Sequence, residues 1–222
     1  MEIKKFTEED ILELARTAYE TGSASFEIVP HKCVLLVIDM QDEFVKPGWT
    51  VFWVPEATRQ VPKIKSLIEF CRSKSMPIIY TAFASTYHFL DCPKTGDFMP
   101  NRYPQLSLTN SSWFKEGKIW HGLKPQQSDI VIYKPSYGAF YDTPLETILK
   151  YLEKDTVIIC GALTNFCCGT TARQAYERGF KVVFGSDVTS TDDPSLQETE
   201  LKVLRKGFAK VLSMSEIMEA LR

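Results

Sequence analysis

One stretch, residues 156–179, constrains the fold of this chain more than any other. It opens with four β-branched residues, Thr156 to Ile159, which predict a strand buried on both faces. A turn of small residues follows, and a helical pattern then continues to Gly179, placed as a helix-terminating glycine would be. Strand, turn and helix in this order are typical of a parallel α/β sheet. The pattern places Cys167 where the helix begins.

The predicted position of Cys167 has a chemical consequence. The first turn of a helix carries unpaired N–H groups and the positive end of the helix dipole. Such a site favours the thiolate and is expected to lower the cysteine pKa below about 8.5. The same N–H groups can stabilise the oxygen anion formed when a thiolate attacks a carbonyl. The stretch therefore fits a nucleophile, but equally a buried small apolar side chain, the commoner role of a free cysteine.

The rest of the chain alternates strands with helices. Apolar runs predict strands at residues 33–39, 77–82, 129–134, 156–159, 181–186 and 209–212. Helical patterns separate them, so we expect one three-layer α/β/α domain with a six-stranded parallel sheet. We place this domain at residues 30–222. Residues 1–29 form a separate helix, capped by Thr7, and a linker; this extension serves either subunit contact or simple packing.

Composition excludes several classes of function. The chain has 222 residues and a net charge of −2, which gives no electrostatic case for a nucleic-acid or membrane partner. It shows neither a nucleotide-binding glycine motif nor the apolar run of about 18 residues that a membrane span needs. The N-terminus lacks the apolar core of a signal peptide. Its six cysteines include no Cys-x-x-Cys pair. We therefore expect a cytoplasmic protein with reduced thiols.

Residues 84–125 are the least regular part of the sequence. They are rich in proline, glycine and aromatic residues, including Tyr87, Phe89, Phe98, Tyr103, Trp113, Phe114 and Trp120. An irregular insertion of this length in a compact α/β domain is usually functional. We interpret it as a lid or a subunit contact, with a surface excursion as the alternative.

Three predicted strands lead into reactive side chains. The first ends in Asp39, the third ends in Lys134, and the fourth leads to Cys167. Each has an ordinary alternative, since strand-end residues often cap, face solvent or pack. However, the carboxyl ends of parallel strands share one edge, where ligands bind. Asp39 can accept the thiol proton and return it to a leaving amine, while Lys134 balances the charge.

Three motifs resemble those of the isochorismatase-like cysteine hydrolases. They occupy residues 37–44, 134–140 and 161–168, and the flanking segments 171–175 and 185–187 also fit. The resemblance spans about residues 30 to 222. It implies an Asp-Lys-Cys catalytic triad at Asp39, Lys134 and Cys167, with the Thr-Asn-x-Cys spacing selecting Cys167 over Cys168. It also implies a six-stranded parallel sheet and frequent dimers or tetramers.

The resemblance further implies a particular turn before the cysteine. A non-proline cis peptide is expected there, which we place at Leu163–Thr164. Such a turn directs the backbone N–H groups of Thr164 and Cys167 at the oxyanion. We therefore expect these two groups to form the oxyanion hole.

The expected function is metal-independent amide hydrolysis. In the family, nicotinamidases bind a metal through residues after the second strand, but Thr81 to Ser85 offer no ligand. Isochorismatases lack the nucleophilic cysteine. We therefore predict no metal or other cofactor and an amidohydrolase acting on a small amide or carbamoyl (ureido) compound. Relatives of this kind hydrolyse N-carbamoylsarcosine, ureidoacrylate, biuret-type or maleamate substrates. The alternatives are a nicotinamidase, an isochorismatase-type hydrolase, or a thiol redox sensor using Cys167-Cys168.

Aromatic residues beside the motifs are candidates for the substrate pocket. We expect Phe44, Trp49, Tyr137 and Phe140 to form its walls. The insertion can add further contacts through Trp53, Tyr103 and Trp113. Arg102 is interpreted as a solvated loop residue, with binding of a substrate carboxylate as the alternative.

Overall fold

A six-stranded parallel sheet forms the centre of the molecule. The computed structural model describes residues 5–93 and 113–222. The strands are β1 Cys33–Ile38, β2 Ile78–Phe83, β3 Ile130–Lys134, β4 Thr156–Ala162, β5 Lys181–Ser190 and β6 Lys210–Leu212. Their order across the sheet is β3-β2-β1-β4-β5-β6, and every neighbouring pair is parallel. The predicted fold class is therefore confirmed.

Helices cover both faces of this sheet. Their bounds are α1 Glu8–Thr21, α2 Asp42–Val45, α3 Pro55–Ser73, α4 Leu145–Tyr151, α5 Gly169–Glu177, α6 Pro194–Gly207 and α7 Met214–Ala220. Buried residues of α3 and α7 pack with one face of the sheet in one apolar cluster. Those of α4, α5 and α6 pack with the other face in a second cluster. The result is the expected three-layer arrangement.

The boundaries of the elements differ from the sequence prediction mainly in the second half. Strands β4 and β5 are both longer than predicted, because they resume pairing after an irregularity, with Gly161 opposite Thr189 and Ala162 opposite Ser190. Apolar periodicity does not reveal such a continuation. Helix α4 begins at Leu145, one residue later than predicted. Thr143 still accepts a hydrogen bond from the backbone of its first residue, at 3.3 Å.

The strand order positions a functional site. β1 and β4 are neighbours, but the chain continues from β1 to β2 on one side and from β4 to β5 on the other. In open α/β sheets ligands bind outside the carboxyl ends of the strands at such a switch point. Asp39 follows β1 directly, and the turn containing Cys167 follows β4.

Helix α1 lies outside the core, as predicted. It begins with a capping box between Thr7 and Asp10, and none of its residues is buried. It packs against α6, where Ser23 donates a hydrogen bond to the carbonyl of Lys206 and Lys202 pairs with Glu20 at 3.0 Å. A role in subunit contact, and the domain boundary at residues 29 and 30, stay predictions. In the part of the chain described, no helix is long and apolar enough to cross a membrane.

Two glycines with positive φ allow a matched test of backbone packing in the sheet. Gly161 has a φ of 122°, and a Cβ atom there would overlap the carbonyl of Ile38 on β1. Gly179 has a φ of 81°, with no neighbouring heavy atom within 4 Å of an added Cβ. We expect Gly179→Ala to lose only about 1–2 kcal/mol of unfolding free energy. Gly161→Ala should lose more than about 4 kcal/mol of unfolding free energy. The added Cβ atom would both strain the backbone at positive φ and collide with the carbonyl of Ile38.

Urea unfolding followed by circular dichroism measures both losses. Equal losses in the two variants would contradict the close approach of β4 to β1 at Gly161.

Candidate active site

Residues from three strand ends meet in a buried cluster. The Nζ atom of Lys134, the last residue of β3, lies 2.7 Å from Oδ2 of Asp39, directly after β1. Both side chains are fully buried. Cys167 lies in a π-helical turn, Thr164–Cys168, that leads from β4 into α5. Its sulfur interacts with both Asp39 and Lys134. The structure therefore brings together the three residues expected from the sequence.

The ammonium group of Lys134 is fully engaged. It pairs with Asp39, donates a hydrogen bond to the carbonyl of Ser136 at 2.7 Å and interacts with the sulfur of Cys167. An ammonium has three N–H donors, and these three groups match that number. Burial lowers the pKa of Lys134, but the Asp39 carboxylate and then the Cys167 sulfur raise it, and the net direction is upward. Lys134 therefore remains a cation inside the protein.

The Asp39 carboxylate is held from two sides. Its Oδ1 accepts a hydrogen bond from Thr81 Oγ1 at 2.7 Å, while Oδ2 faces Lys134. The backbone N–H of Asp39 donates to the carbonyl of Thr81 at 3.1 Å, and its φ is 48°. Aspartate tolerates this left-handed region better than most residues. The β2 strand thus fixes both the backbone and the carboxylate of Asp39.

The thiol of Cys167 is held in its protonated form beside this carboxylate. Burial raises its pKa to about 12; the Lys134 cation opposes this rise, and the charge and hydrogen bond of Asp39 add to it. The sequence expectation of a lowered pKa is therefore wrong. Burial of Cys167, a residue that is only 4% exposed, outweighs the helix terminus because desolvation penalises the thiolate. The Asp39 carboxylate beside the thiol is a possible acceptor for its proton.

The turn before Cys167 differs by one residue from the expectation. The cis peptide lies between Ala162 and Leu163, not between Leu163 and Thr164. β4 remains paired through Ala162, so the cis peptide is the first peptide bond after the strand. The backbone N–H group that faces the sulfur of Cys167 belongs to Leu163. The oxyanion roles of the Thr164 and Cys167 N–H groups stay predictions.

Helix α5 connects the cysteine turn to the loop after β3. Thr171 Oγ1 donates to the carbonyl of Cys167 at 2.6 Å and accepts from the N–H of Ala139 at 3.0 Å. The side chain of Gln174 accepts from the N–H of Phe140 at 3.1 Å. These bonds fix the loop that carries Ser136 against the helix that carries Cys167. They explain why the segment 171–175 accompanies the triad motifs.

The four predicted pocket walls lie in different surroundings. Tyr137 stacks on Phe166, the residue before Cys167, with ring centroids 5.3 Å apart. Phe44 is buried in the apolar cluster on the α3 face, and Trp49 lies under the ammonium of Lys46. The ring of Phe140 packs on Phe180, which lies just before the amino-terminal end of β5. That end is opposite to the carboxyl ends of the strands, where the cluster lies. Tyr137 thus contacts the cysteine turn, and the substrate-binding roles of all four residues stay predictions.

Some expectations concern residues outside the described part of the chain. These are Phe98, Arg102 and Tyr103, and with them residues 94–112 of the insertion proposed as a lid or subunit contact. Within residues 5–93 and 113–222, no three His, Cys, Asp or Glu side chains are grouped as metal ligands. The cysteines of this part are all free thiols, including the neighbours Cys167 and Cys168.

Sequence reasoning missed several residues of the site. Thr81 orients Asp39, the carbonyl of Ser136 binds Lys134, and Leu163 contributes the N–H group at the sulfur. Thr81 carried a readable signal, since it is a hydroxyl residue inside an otherwise apolar strand. Backbone groups leave no such signal in a sequence.

Comparison with known proteins agrees with this geometry. The sequence model of the isochorismatase domain matches residues 33–216. The chain belongs to the isochorismatase family. It is accordingly an isochorismatase-family hydrolase, as the motifs predicted.

Three relatives illustrate the range of the family. The chain is 29% identical over 192 residues to nicotinamidase 3 of Arabidopsis thaliana, covering 84% of this chain and 87% of the relative. It is 25% identical over 207 residues to the ureidoacrylate amidohydrolase RutB of Methylorubrum extorquens, and the match covers 85% of this chain and 82% of the relative. A cysteine hydrolase from Pseudomonas syringae pv. phaseolicola has a similar structure, with a TM-score of 0.77 and 26% identity over 89% of this chain and 95% of that one. Family membership therefore leaves the substrate open.

The raised pKa of Cys167 predicts a distinctive alkylation profile for this isochorismatase-family hydrolase. Because only the thiolate reacts, the rate with iodoacetamide should rise about tenfold per pH unit from about pH 8 to about pH 11. Peptide mass spectrometry would follow the modification of Cys167, with N-acetylcysteine as a free thiol that levels off earlier. A plateau of the Cys167 rate below about pH 9 would show a low-pKa thiolate instead.

The buried ion pair predicts a large loss of stability when one partner is removed. Lys134→Met leaves the Asp39 charge buried without its counter-ion, so we expect a loss of about 3–5 kcal/mol in unfolding free energy. The double variant Asp39→Asn/Lys134→Met should lose less, because it buries no charge. Lys150→Met is the control, since the exposed Lys150–Glu146 pair at 2.6 Å should contribute about 1 kcal/mol or less. Urea unfolding that gives equal losses for both lysine variants would refute the buried pair.

Proposed function

We propose that the protein is a metal-independent cysteine amidohydrolase. Its substrate is a small amide or carbamoyl (ureido) compound, whose C–N bond is cleaved with release of ammonia through a thioester on Cys167. One observation carries the proposal: a buried thiol lies beside a carboxylate that is itself paired with a buried lysine. A redox sensor or binding protein requires neither the base nor its counter-ion.

The first half of the reaction forms the thioester. As the sulfur of Cys167 attacks the substrate carbonyl, its proton passes to Asp39, so no free thiolate accumulates beforehand. The carbonyl oxygen becomes negative and is stabilised by backbone N–H groups of the cysteine turn. When the tetrahedral intermediate collapses, Asp39 returns the proton to the departing nitrogen, which leaves as ammonia.

The second half regenerates the enzyme. Asp39, again a carboxylate, takes a proton from the water molecule that attacks the thioester. Collapse of this second intermediate breaks the C–S bond, and the proton on Asp39 passes to the sulfur. Lys134 stays charged throughout, since its partners remain anionic or polar at each stage. Asp39 therefore cycles between base and acid within the field of one fixed cation.

Nicotinamide hydrolysis is the second candidate. The similarity to nicotinamidase 3 of Arabidopsis thaliana favours it, whereas the residues after β2, Thr81 to Ser85, supply none of the metal ligands that the family resemblance implies for nicotinamidases. The hydroxyl of Thr81 is already bonded to Asp39. We therefore favour a metal-free site.

An ammonia-release screen tests these candidates directly. It should cover small aliphatic amides, N-carbamoyl amino acids, ureidoacrylate, biuret, maleamate and nicotinamide. We expect turnover of an amide or carbamoyl compound by protein that contains no stoichiometric zinc. Turnover of nicotinamide that is lost with a chelator and restored by zinc would instead support the nicotinamidase alternative.

Substitution of the nucleophile gives the decisive prediction. Cys167→Ala and Cys167→Ser should abolish ammonia release from any substrate found in the screen, because neither provides a sulfur nucleophile. The thermal midpoint should change little, since each change removes or replaces one small atom. Cys168→Ala is the matched control and should retain turnover. Activity that persists in the Cys167 variants would refute the proposed thioester.

A further inference from the structure

A second buried carboxylate lies near the triad and takes no part in the proposed reaction. Glu43, in α2, is 2% exposed. Its Oε2 accepts a hydrogen bond from Gln41 Nε2 at 2.7 Å, and its Oε1 accepts one from the backbone N–H of Phe114 at 2.9 Å. Burying a carboxylate is costly unless its oxygens are bonded. Both oxygens of Glu43 therefore serve to hold other groups in place.

Gln41 extends this arrangement to the end of β2. Its side chain is fully buried, accepts a hydrogen bond from the N–H of Phe83 at 2.7 Å and donates to the carbonyl of Phe83 at 2.9 Å. Since Oε1 faces an N–H group, the amide nitrogen of Gln41 must face Glu43. The orientation of every polar group in the cluster is thereby determined.

The segment 113–120, which we call the return segment, is bound along the residues that follow Asp39. The backbone N–H of Trp120 donates to the carbonyl of Met40 at 2.8 Å, and the backbone N–H of Asp42 donates to the carbonyl of Lys118 at 2.9 Å. The carbonyl of Phe114 accepts from the N–H of Ser85 at 2.6 Å. Phe114 is therefore held at its nitrogen by Glu43 and at its oxygen by the chain after β2.

The ring of Phe114 lies one side chain away from the triad. It is fully buried, and its centroid is 5.2 Å from that of Phe83 and 5.7 Å from that of Phe44. The ring of Phe83 in turn lies 5.8 Å from Nζ of Lys134. A shift of Phe114 would thus alter the space beside the reactive cluster without changing any of its three members.

We propose that Glu43 is a positioning residue that fixes Phe114 and the return segment as a wall, and so limits the size of molecules that reach Cys167. The inference rests on the proposed function in taking Cys167 as the group a substrate must reach. A wall held in this position would restrict the enzyme to small substrates. It also explains why a carboxylate stands at position 43.

A glutamine cannot replace Glu43 in this role. Both carboxylate oxygens face N–H donors, whereas an amide has one oxygen and one NH2 group. In Glu43→Gln one of the two donors, Gln41 Nε2 or Phe114 N–H, therefore faces another donor. Asp42→Asn is the matched control, because the side chain of the adjacent Asp42 reaches the return segment only through a long ion pair with Lys118, at 3.9 Å, while its backbone hydrogen bond to Lys118 is kept.

Alkylation by reagents of two sizes tests the proposal. Iodoacetamide is small and N-phenylmaleimide is bulky, and peptide mass spectrometry gives the rate of each at Cys167, with the core thiol Cys160 as an internal reference. In Glu43→Gln the ratio of the maleimide rate to the iodoacetamide rate at Cys167 should rise about tenfold, the effect of losing one hydrogen bond to a charged group. Asp42→Asn should keep the ratio of the unaltered protein, and Cys160 should stay unmodified.

Other outcomes would overturn the proposal. An unchanged ratio would show that Glu43 does not control the wall. Equal acceleration by both reagents, with labelling of Cys160, would show a general structural role. If circular dichroism shows that Glu43→Gln is unfolded, Glu43→Asp replaces it; its shorter carboxylate cannot reach both donors, so the ratio should again rise. Since these rates need no hydrolysis, failure of the amidohydrolase function would appear separately, in the ammonia screen.

Discussion

The buried pair of Asp39 and Lys134 is the interaction on which the rest of the site depends. Two charges removed from water are tolerated only when each is paired and its remaining hydrogen-bonding capacity is used. Thr81, Ser136 and Cys167 meet this requirement from three separate segments. The parallel sheet satisfies it by bringing the ends of β1, β2, β3 and β4 to one edge. The buried cluster therefore also constrains how these strands can be joined.

The protonation state of the Cys167 thiol depends on its burial and on both members of the ion pair. A thiol at a helix start would be expected to ionise, but at Cys167 burial and the neighbouring Asp39 hold the proton on sulfur, against the pull of Lys134. Before the proposed reaction the proton is therefore on the sulfur of Cys167, next to the Asp39 carboxylate that would accept it. An exposed low-pKa thiolate would instead be open to oxidation.

Different hydrogen bonds hold the segments on the two sides of the cluster. The cysteine turn and the loop after β3 are joined through α5, by the side chains of Thr171 and Gln174. The return segment is joined to the other side by Glu43, through a backbone N–H. Relatives of this chain include a nicotinamidase and a ureidoacrylate amidohydrolase, which are named for different substrates. We regard the return segment as a wall of the site.

The sequence alone was sufficient for the fold and for the membership of the reactive cluster. Strands buried on both faces are continuous apolar runs, and their carboxyl ends must share one edge, so Asp39, Lys134 and Cys167 could be placed together. Tertiary structure decided the rest. The pKa direction of Cys167 depends on how deeply the sulfur is buried, and the cis peptide follows from where β4 stops pairing. The inward packing of Phe44 and Phe140, and the role of Glu43, depend on contacts between segments distant in the chain. Local residue patterns carry periodicity and motif spacing, but not desolvation or long-range packing, which arise only when the segments meet.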